Sequence, residues 1–286
     1  MHPPRAGALP FFLSANAGER FCLYHQPEPD VPPRGAILYV HPFAEELNKS
    51  RRMAALQSRA FAQAGFGVLQ MDLYGCGDSS GDFADARWPI WLDDLALAWQ
   101  WLAERGAEPI YLWGLRLGAL LALDFATKTR PDALILWQPV ISGRAHLHQF
   151  ARMQSAARLF GENRPAPEQG NEIAGYTIAA ELSEAIRQVD AATLAPTCPV
   201  LWLELSTALQ ATVDSTNASG RASGNSVPQE AALQAASALL IDRWREAGAM
   251  VDTQALHGMP FWSSAEIIES PELLAATLAC VPRGPQ

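Results

Sequence analysis

The chain has 286 residues, of which 49% are hydrophobic and 18% are charged, so it can bury a sizeable core and is not a disordered polyelectrolyte. Its formal net charge of −9 leaves no basic surplus to neutralise phosphates, which argues against a nucleic-acid-binding protein. The apolar runs fall far short of the ~20 residues that a membrane-spanning helix needs, so we expect no membrane span.

Targeting and metal signals are weak throughout the chain. The first twenty residues carry two early prolines and too short an apolar patch for a signal peptide, so we expect a cytoplasmic protein. The four cysteines are far apart and show no metal-ligand spacing; they are Cys22, Cys76, Cys198 and Cys280. We therefore expect no metal and no cofactor.

Strand and helix patterns alternate through the first half of the chain. Several runs are continuously apolar and rich in β-branched and aromatic residues, as in "GAILYVHPF", which is typical of strands buried on both faces. The predicted strands are 20–25, 35–43, 66–75, 110–114 and 133–140, and the predicted helices are 48–65, 88–106 and 117–128. This βαβα order predicts an α/β fold with a mostly parallel central sheet flanked by helices.

The pattern changes after residue 142. Residues 142–197 are polar and helical without a clear buried strand, so we interpret them as a cap insertion over the strand ends. Residues 206–228 are rich in Ser, Thr, Ala, Asn and Gly, which predicts a mobile loop. Around that loop the sheet resumes with a strand at 198–206, a helix at 229–247, a strand at 250–256 and a helix at 264–280. The whole chain, 1–286, is predicted to be one domain.

Gly114, Arg116 and Gly118 follow the strand at 110–114 and precede a helix. Glycines two residues on either side of a central residue mark the nucleophile elbow, G-x-S-x-G, of α/β-hydrolases. Here an arginine stands at the centre, and a guanidinium has no hydroxyl or thiol with which to attack. Beside a helix N-terminus Arg116 is suited to hold an anion. An internal ion pair to Glu45, Glu46 or Asp72 is the alternative.

His257 directly follows the last predicted strand, where the catalytic histidine of an α/β-hydrolase lies. We predict that it acts as a general base on water or on a substrate hydroxyl. The acid partner should follow the strand at 198–206. Glu204 is the first candidate, Asp214 is the second, and a site without an acid stays open.

Two loops at the predicted strand ends supply further candidates. "HPFAEELNKSRRM" resembles the oxyanion loop of esterases, so His41, Phe43 and Glu45 are predicted to contact substrate, although Pro42 lacks one N–H donor. "DLYGCGDSSGDF" holds Cys76, Ser79 and Ser80, of which Ser79 is our candidate for a displaced nucleophile. Leu117 beside the elbow and Gln138 after the next strand complete the predicted substrate-binding set.

Four segments together resemble the exosortase A system-associated hydrolase family, type 2, which belongs to the serine-aminopeptidase-like α/β-hydrolase superfamily. They are "HPFAEELNKSRR", "DLYGCGDSSGDF", "GLRLGALLA" and "LWQPVISG". The resemblance covers roughly residues 10–262 and implies an α/β-hydrolase fold. It also implies a setting of exopolysaccharide synthesis and PEP-CTERM protein sorting in Gram-negative bacteria, and an arginine at the elbow as the family pattern.

Two functional hypotheses follow. In the first, the chain hydrolyses an ester or acyl group on an anionic small-molecule or saccharide substrate, with Arg116 holding the anion and His257 activating water or a side chain of the 76–80 loop. Acetylated or acidic exopolysaccharide fragments suit the family setting. In the second, the chain is a non-catalytic binding or accessory protein on the same fold.

Overall fold

A computed structural model describes residues 7–159, 172–173, 175–207 and 231–281. Within these ranges ten strands are formed, and eight of them make one sheet in the order β1-β2-β4-β3-β5-β6-β9-β10. The strands are β1 Ala8–Ser14, β2 Glu19–His25, β3 Ala36–Val40, β4 Gly67–Met71, β5 Ile110–Leu115, β6 Ala133–Trp137, β7 Glu172–Ile173, β8 Tyr176–Thr177, β9 Val200–Ser206 and β10 Val251–His257. In this sheet β1 pairs antiparallel with β2, and β2 pairs antiparallel with β4. The five pairs that follow in the sheet order, from β4–β3 to β9–β10, are parallel.

Helices cover both faces of this sheet, as the βαβα pattern predicts. They are α1 Glu45–Gln63, α2 Trp88–Ala103, α3 Leu117–Thr129, α4 Gly143–Leu159, α5 Ala180–Gln188, α6 Ala235–Glu246 and α7 Pro271–Cys280. α1 and α7 contribute to the core on one face, and α2, α3 and α6 contribute to the core on the other. β3 supplies both cores, since Ile37 and Leu38 point to opposite faces. The predicted α/β class is confirmed.

Among the elements that the sequence pattern missed or misplaced are β1 and α7. β1 was not predicted, because Pro10 interrupts its alternation; an edge strand tolerates the missing N–H of proline. The last helix was predicted from residue 264 but begins at Pro271, whose fixed φ and absent N–H suit a first helical turn. Both errors lie at the periphery of the sheet and leave the strand ends that form the site unchanged.

The segment between β6 and β9 is where the cap was predicted. Its described part contains α4 and α5, which pack together, and the short β7–β8 hairpin. Its role as a cap stays a prediction. The loop predicted at 206–228 lies outside the described residues from 208 onward. No helix in the described ranges has the length and apolar character needed to cross a membrane.

Candidate functional site

The turn between β5 and α3 has the geometry of a nucleophile elbow. Arg116 adopts φ 56° and ψ −121°, a backbone conformation that residues other than glycine rarely adopt. Three backbone hydrogen bonds hold Arg116 in this conformation. Its N–H donates to Trp137 O at 3.0 Å, and its carbonyl oxygen accepts from Ala119 N at 3.1 Å and from Val140 N at 3.2 Å. A Cβ at Gly118 would lie 2.3 Å from the carbonyl oxygens of Val40 and His41, so only glycine allows this approach.

The side chain of Arg116 is mostly buried and forms an ion pair with Glu46. Nε lies 3.2 Å from Oε1 of Glu46, and Arg116 is only 14% exposed. On another side, Cζ lies 5.4 Å from the centroid of the Trp262 ring, within cation–π distance. The two terminal nitrogens of the guanidinium have no hydrogen-bond partner among the described residues.

Glu46 is one of three carboxylates that the sequence offered as partners of Arg116. The other two are engaged elsewhere, since Glu45 is exposed and pairs with Lys49 at 3.3 Å, whereas Asp72 accepts from Arg51 at 3.0 Å. The predicted substrate contact of Glu45 therefore has no support in its surroundings. Glu46 was predicted only as one possible ion-pair partner of Arg116. In the structure it is the carboxylate that pairs with Arg116.

Two buried polar atoms near Arg116 have no hydrogen-bond partner in the described part of the chain. They are Oε2 of Glu46 and Nε2 of His146 on α4, and both residues are at most 5% exposed. Burial raises the pKa of Glu46, and the nearby Arg116 opposes that rise. Burial and the charge of Arg116 together hold the pKa of His146 well below its usual range. His146 was missed by the sequence analysis because it lies in no motif and reaches the elbow only through the packing of α4.

His41, which follows β3, is hydrogen-bonded to the segment that follows β4. Its Nδ1 is 2.8 Å from the carbonyl oxygen of Pro42, and its Nε2 accepts the N–H of Leu73 at 3.1 Å. Both ring nitrogens are therefore used, and burial lowers the pKa of the imidazole. These contacts give His41 a structural role, and its predicted contact with substrate stays a prediction.

Gln138 and Phe43 also have structural roles, the first in hydrogen bonding between strands and the second in aromatic packing. Gln138 is 6% exposed, its N–H donates to Leu203 O, and its side-chain oxygen accepts from Leu205 N at 2.8 Å, so it connects β6 to β9. Phe43 packs edge-on against Phe83 and Phe150, with centroid distances of 5.4 and 5.6 Å. This aromatic group joins the loop after β3 to α4.

A small apolar cavity lies directly behind the elbow. It has a volume of about 10 Å³, close to the space that one water molecule needs. Phe43, Cys76, Trp88 and Leu117 are among the residues that line it. At the same point the first amide of α3, that of Leu117, has no backbone acceptor among the described residues, as is usual for a helix N-terminus. This N–H can receive a developing oxyanion or an anionic ligand.

Three residues of the loop after β4 were proposed as displaced nucleophiles, and each has a structural role there. The Ser79 hydroxyl accepts from Phe21 N at 2.9 Å and donates to the carbonyl oxygen of Asp72. Ser80 accepts the N–H of Glu19 at 2.9 Å. Cys76 is 6% exposed, and burial raises the pKa of its thiol far above the usual range, so it is not a thiolate near neutral pH. Ser79 therefore has a structural place that argues against the predicted role.

Glu204 and His257 occupy the strand ends where the acid and the base were predicted. Glu204 is 2% exposed, and its two oxygens accept from the indole N–H of Trp202 at 2.9 Å and from the amide of Gln234 at 2.8 Å. His257 is exposed at the last position of β10, opposite Ser206. In the described ranges no hydrogen bond or ion pair joins His257 to Glu204 or to Arg116. Asp214 lies outside those ranges.

Comparison with known proteins places this arrangement among hydrolases. The chain spans about a third of the length of the curated relatives it matches. Lysophosphatidylserine lipase ABHD12 of Danio rerio is 31% identical over 123 residues, covering 40% of this chain and 31% of the relative. Protein ABHD12B of Homo sapiens is 31% identical over 128 residues, covering 43% of this chain and 33% of the relative.

Solved structures with low sequence identity share the fold. Est1E from Butyrivibrio proteoclasticus superposes with a TM-score of 0.61 at 15% identity, covering 96% of each chain. A thermostable carboxyl esterase from Bacillus coagulans superposes with a TM-score of 0.62 at 14% identity, covering 96% of this chain and 97% of the esterase. The family model for serine aminopeptidase, S33, matches residues 31–217. The chain therefore belongs to the serine aminopeptidase S33 family and has the α/β-hydrolase fold.

Proposed function

We propose that this chain binds an anionic small molecule at the elbow and does not form an acyl-enzyme. The observation that supports this most directly is Arg116, whose backbone has the conformation of an elbow residue and whose side chain cannot attack a carbonyl. The hydroxyls of Ser79 and Ser80 already accept hydrogen bonds from backbone amides of β2, and the Cys76 thiol is buried. The second of the two sequence hypotheses, a non-catalytic binding protein, is therefore the better supported.

Arg116 can keep its ion pair and still receive a ligand. Its Nε donates to Glu46, which leaves the two terminal nitrogens to bind a carboxylate or phosphate through a pair of parallel hydrogen bonds. The N-terminus of α3 lies at the same residue and adds partial positive charge. Because the carboxylate of Glu46 offsets part of this charge, a ligand has to supply more than an anionic group.

The unpartnered atoms of Glu46 and His146 indicate what that further group is. A buried polar atom without a partner costs free energy, and a bound group that supplies the missing hydrogen bond recovers it. Oε2 of an ionised Glu46 accepts hydrogen bonds and repels a second anion, so it favours a donor such as a hydroxyl. A ligand with a hydroxyl beside its carboxylate or phosphate would satisfy Arg116 and Glu46 together.

The family resemblance suggests where such a ligand arises. Acidic or acetylated fragments of an exopolysaccharide carry hydroxyls next to anionic groups, and we propose them as the ligand class of this chain. The same proposal includes membership of the exosortase A system-associated type 2 subfamily. It also includes a link to PEP-CTERM protein sorting and a cytoplasmic site of action. Sugar acids are the matching laboratory probes.

Hydrolysis of an ester or acyl group remains the second candidate, because His257 is exposed at the end of β10 where the base of this fold lies. In that case the imidazole would activate water directly, with Arg116 holding the anionic part of the substrate. An exposed imidazole without a partnered nucleophile gives general-base catalysis of about 10²–10⁴-fold, much less than an acyl-enzyme pathway provides.

A fluorophosphonate probe, which reacts with activated serines, separates the candidates when combined with short-chain p-nitrophenyl esters. The wild type is expected to resist labelling and to show no ester turnover. Titration with glucuronate is expected to give saturable binding that Arg116→Gln weakens and His257→Ala leaves unchanged. Ester turnover by the wild type that His257→Ala abolishes would favour the second candidate, and labelling of the wild type would contradict a site without a nucleophilic serine.

A further inference from the structure

A second and larger cleft lies beside the elbow region and does not include Arg116. It has a volume of about 640 Å³, within the range of roughly 300–1,000 Å³ that is common for small-molecule sites. One wall is the first part of α1, the opposite wall is the loop after β4, and Tyr176 of β8 borders the cleft. We call this space the α1 cleft. Asn48, Arg51, Asp78, Asp82, Phe83 and Tyr176 are the side chains that give it its chemistry.

The loop that forms one wall is held in place by Asp72. Oδ2 of Asp72 accepts from Arg51 and from the amide of Asp78, each at 3.0 Å. Gly77 has φ 55°, and a Cβ there would lie 1.9 Å from Oδ2 of Asp72, so the loop approaches the carboxylate as closely as a glycine permits. These contacts give the cleft a formed wall before any ligand arrives, which reduces the ordering cost of binding.

The polar groups of the α1 cleft include both donors and acceptors. Arg51 and the amide nitrogen of Asn48 donate, the carboxylate of Asp78 accepts, and the Tyr176 hydroxyl can do either. The Asn48 nitrogen donates to the Tyr176 hydroxyl at 3.4 Å, which brings the two polar groups together at one side of the cleft. Phe83 and Tyr176 add aromatic surface, with ring centroids 5.1 Å apart.

The charges disfavour an anionic ligand. Arg51 is already paired with Asp72, and Asp78 and Asp82 add two exposed carboxylates to the lining. A phosphate or carboxylate placed here would lie near these acids without an unpaired cation to hold it. Hydroxyl groups meet neither difficulty, because each of them both donates and accepts a hydrogen bond.

We propose that the α1 cleft is a binding site for a neutral polyhydroxylated molecule of the size of a mono- or disaccharide. Its hydroxyls donate to Asp78 and accept from Asn48 and Arg51, while an apolar face of the ligand lies against the ring of Tyr176. This site is separate from the anion site at Arg116, so either one can exist without the other.

Ligand-observed NMR titrations with neutral methyl glycosides of glucose, galactose and mannose test the site on the full-length chain. Glucuronate and glucosamine are the matched anionic and cationic probes. At least one neutral glycoside is expected to bind, and Tyr176→Ala and Asp78→Ala are each expected to weaken it about tenfold, the loss of one good contact. Asn48→Ala, at an exposed position on α1, serves as a third variant that should fold unaltered.

The surface variant Glu104→Gln, at an exposed position outside the α1 cleft, is the control and should bind the neutral glycoside as the wild type does. The proposal is overturned when no neutral glycoside binds, or when one binds equally well to the Tyr176, Asp78 and Asn48 variants. It is also overturned when glucuronate or glucosamine binds the α1 cleft more tightly than the neutral sugars. Loss of glucuronate binding in Arg116→Gln alone would concern the elbow and would leave this result unaffected.

Discussion

The guanidinium of Arg116 and the carboxylate of Glu46 form a buried ion pair across the mouth of the elbow, with Nε 3.2 Å from Oε1. The two residues are 70 positions apart in the chain, so this contact exists only because β3 and β5 are adjacent in the sheet. The elbow therefore carries a cation that is compensated by one carboxylate. Arg116 stands at the position where other proteins of this fold carry the nucleophile.

Removing one partner of this pair is expected to destabilise the fold. Arg116→Met leaves a buried carboxylate unpaired and should lower the free energy of unfolding by about 3 kcal/mol. The double variant Arg116→Met/Glu46→Leu should lose less than the sum of the single variants, by about 1–3 kcal/mol, because neither charge is then stranded. Urea unfolding of all four proteins measures the coupling. Glu45→Gln is the matched control, since Glu45 is exposed on the same helix turn and should change stability by less than ~0.5 kcal/mol.

Gly118→Ala tests the close approach of α3 to the loop after β3. The added Cβ would lie 2.3 Å from two backbone carbonyl oxygens, which cannot rotate away as a side chain can. The variant is expected to lose about 3 kcal/mol of unfolding free energy or to fail to fold. Gly7→Ala, where nothing lies within 4 Å of the added atom, is the control and should be neutral in the same unfolding assay. A stable Gly118→Ala protein would contradict the elbow geometry.

Ser79→Ala distinguishes a structural hydroxyl from a nucleophile. Loss of the hydroxyl leaves the N–H of Phe21 without its acceptor, which should cost about 1–3 kcal/mol of unfolding free energy. Any hydrolytic or binding activity should be unchanged once the protein is folded. Ser80→Ala, which removes a more exposed hydrogen bond, should cost less. An activity abolished by Ser79→Ala in a stably folded variant would restore Ser79 as a candidate nucleophile.

Stability should decline as the pH falls from about 7 towards 5. Burial lowers the pKa of His25 to about 4 and that of His146 well below its usual range, so the folded chain does not take up the protons that the unfolded histidines bind near pH 6.5. Unfolding is therefore favoured below pH 6.5, and this loss is greatest once the pH approaches the folded pKa values. His146→Phe should flatten the stability profile between about pH 5 and 6.5, whereas His148→Phe, at an exposed position of the same helix, should not. Urea unfolding at stepped pH measures both.

Local patterns were sufficient to predict the parallel strands of the sheet and the elbow. The apolar runs of β3 to β6 are buried on both faces, and glycines at 114 and 118 are a short-range requirement of a tight strand-to-helix turn. The sequence predicted an ion pair of Arg116 but left three possible partners, because a sequence does not show how α1 packs against β5. The choice of Glu46 depends on which face of α1 is turned inward.

The remaining site residues depend on contacts between distant segments. Ser79 looks like an available hydroxyl in the sequence, and only the pairing of β2 with β4 brings Phe21 to it. Glu204 looks like a free acid at a strand end, and Gln234, thirty residues later, supplies the amide that occupies it. His146 has no motif around it, and its position next to Arg116 arises from the packing of α4. Such long-range hydrogen bonds leave no periodic trace in a sequence.

Cys76 borders both the small apolar cavity behind the elbow and the α1 cleft. A single thiol thus forms part of the partition between two chambers of opposite polarity. A larger side chain at this position would intrude on both spaces at once, and a smaller one would thin the barrier between them. The volume of the Cys76 side chain therefore contributes to the shape of both spaces.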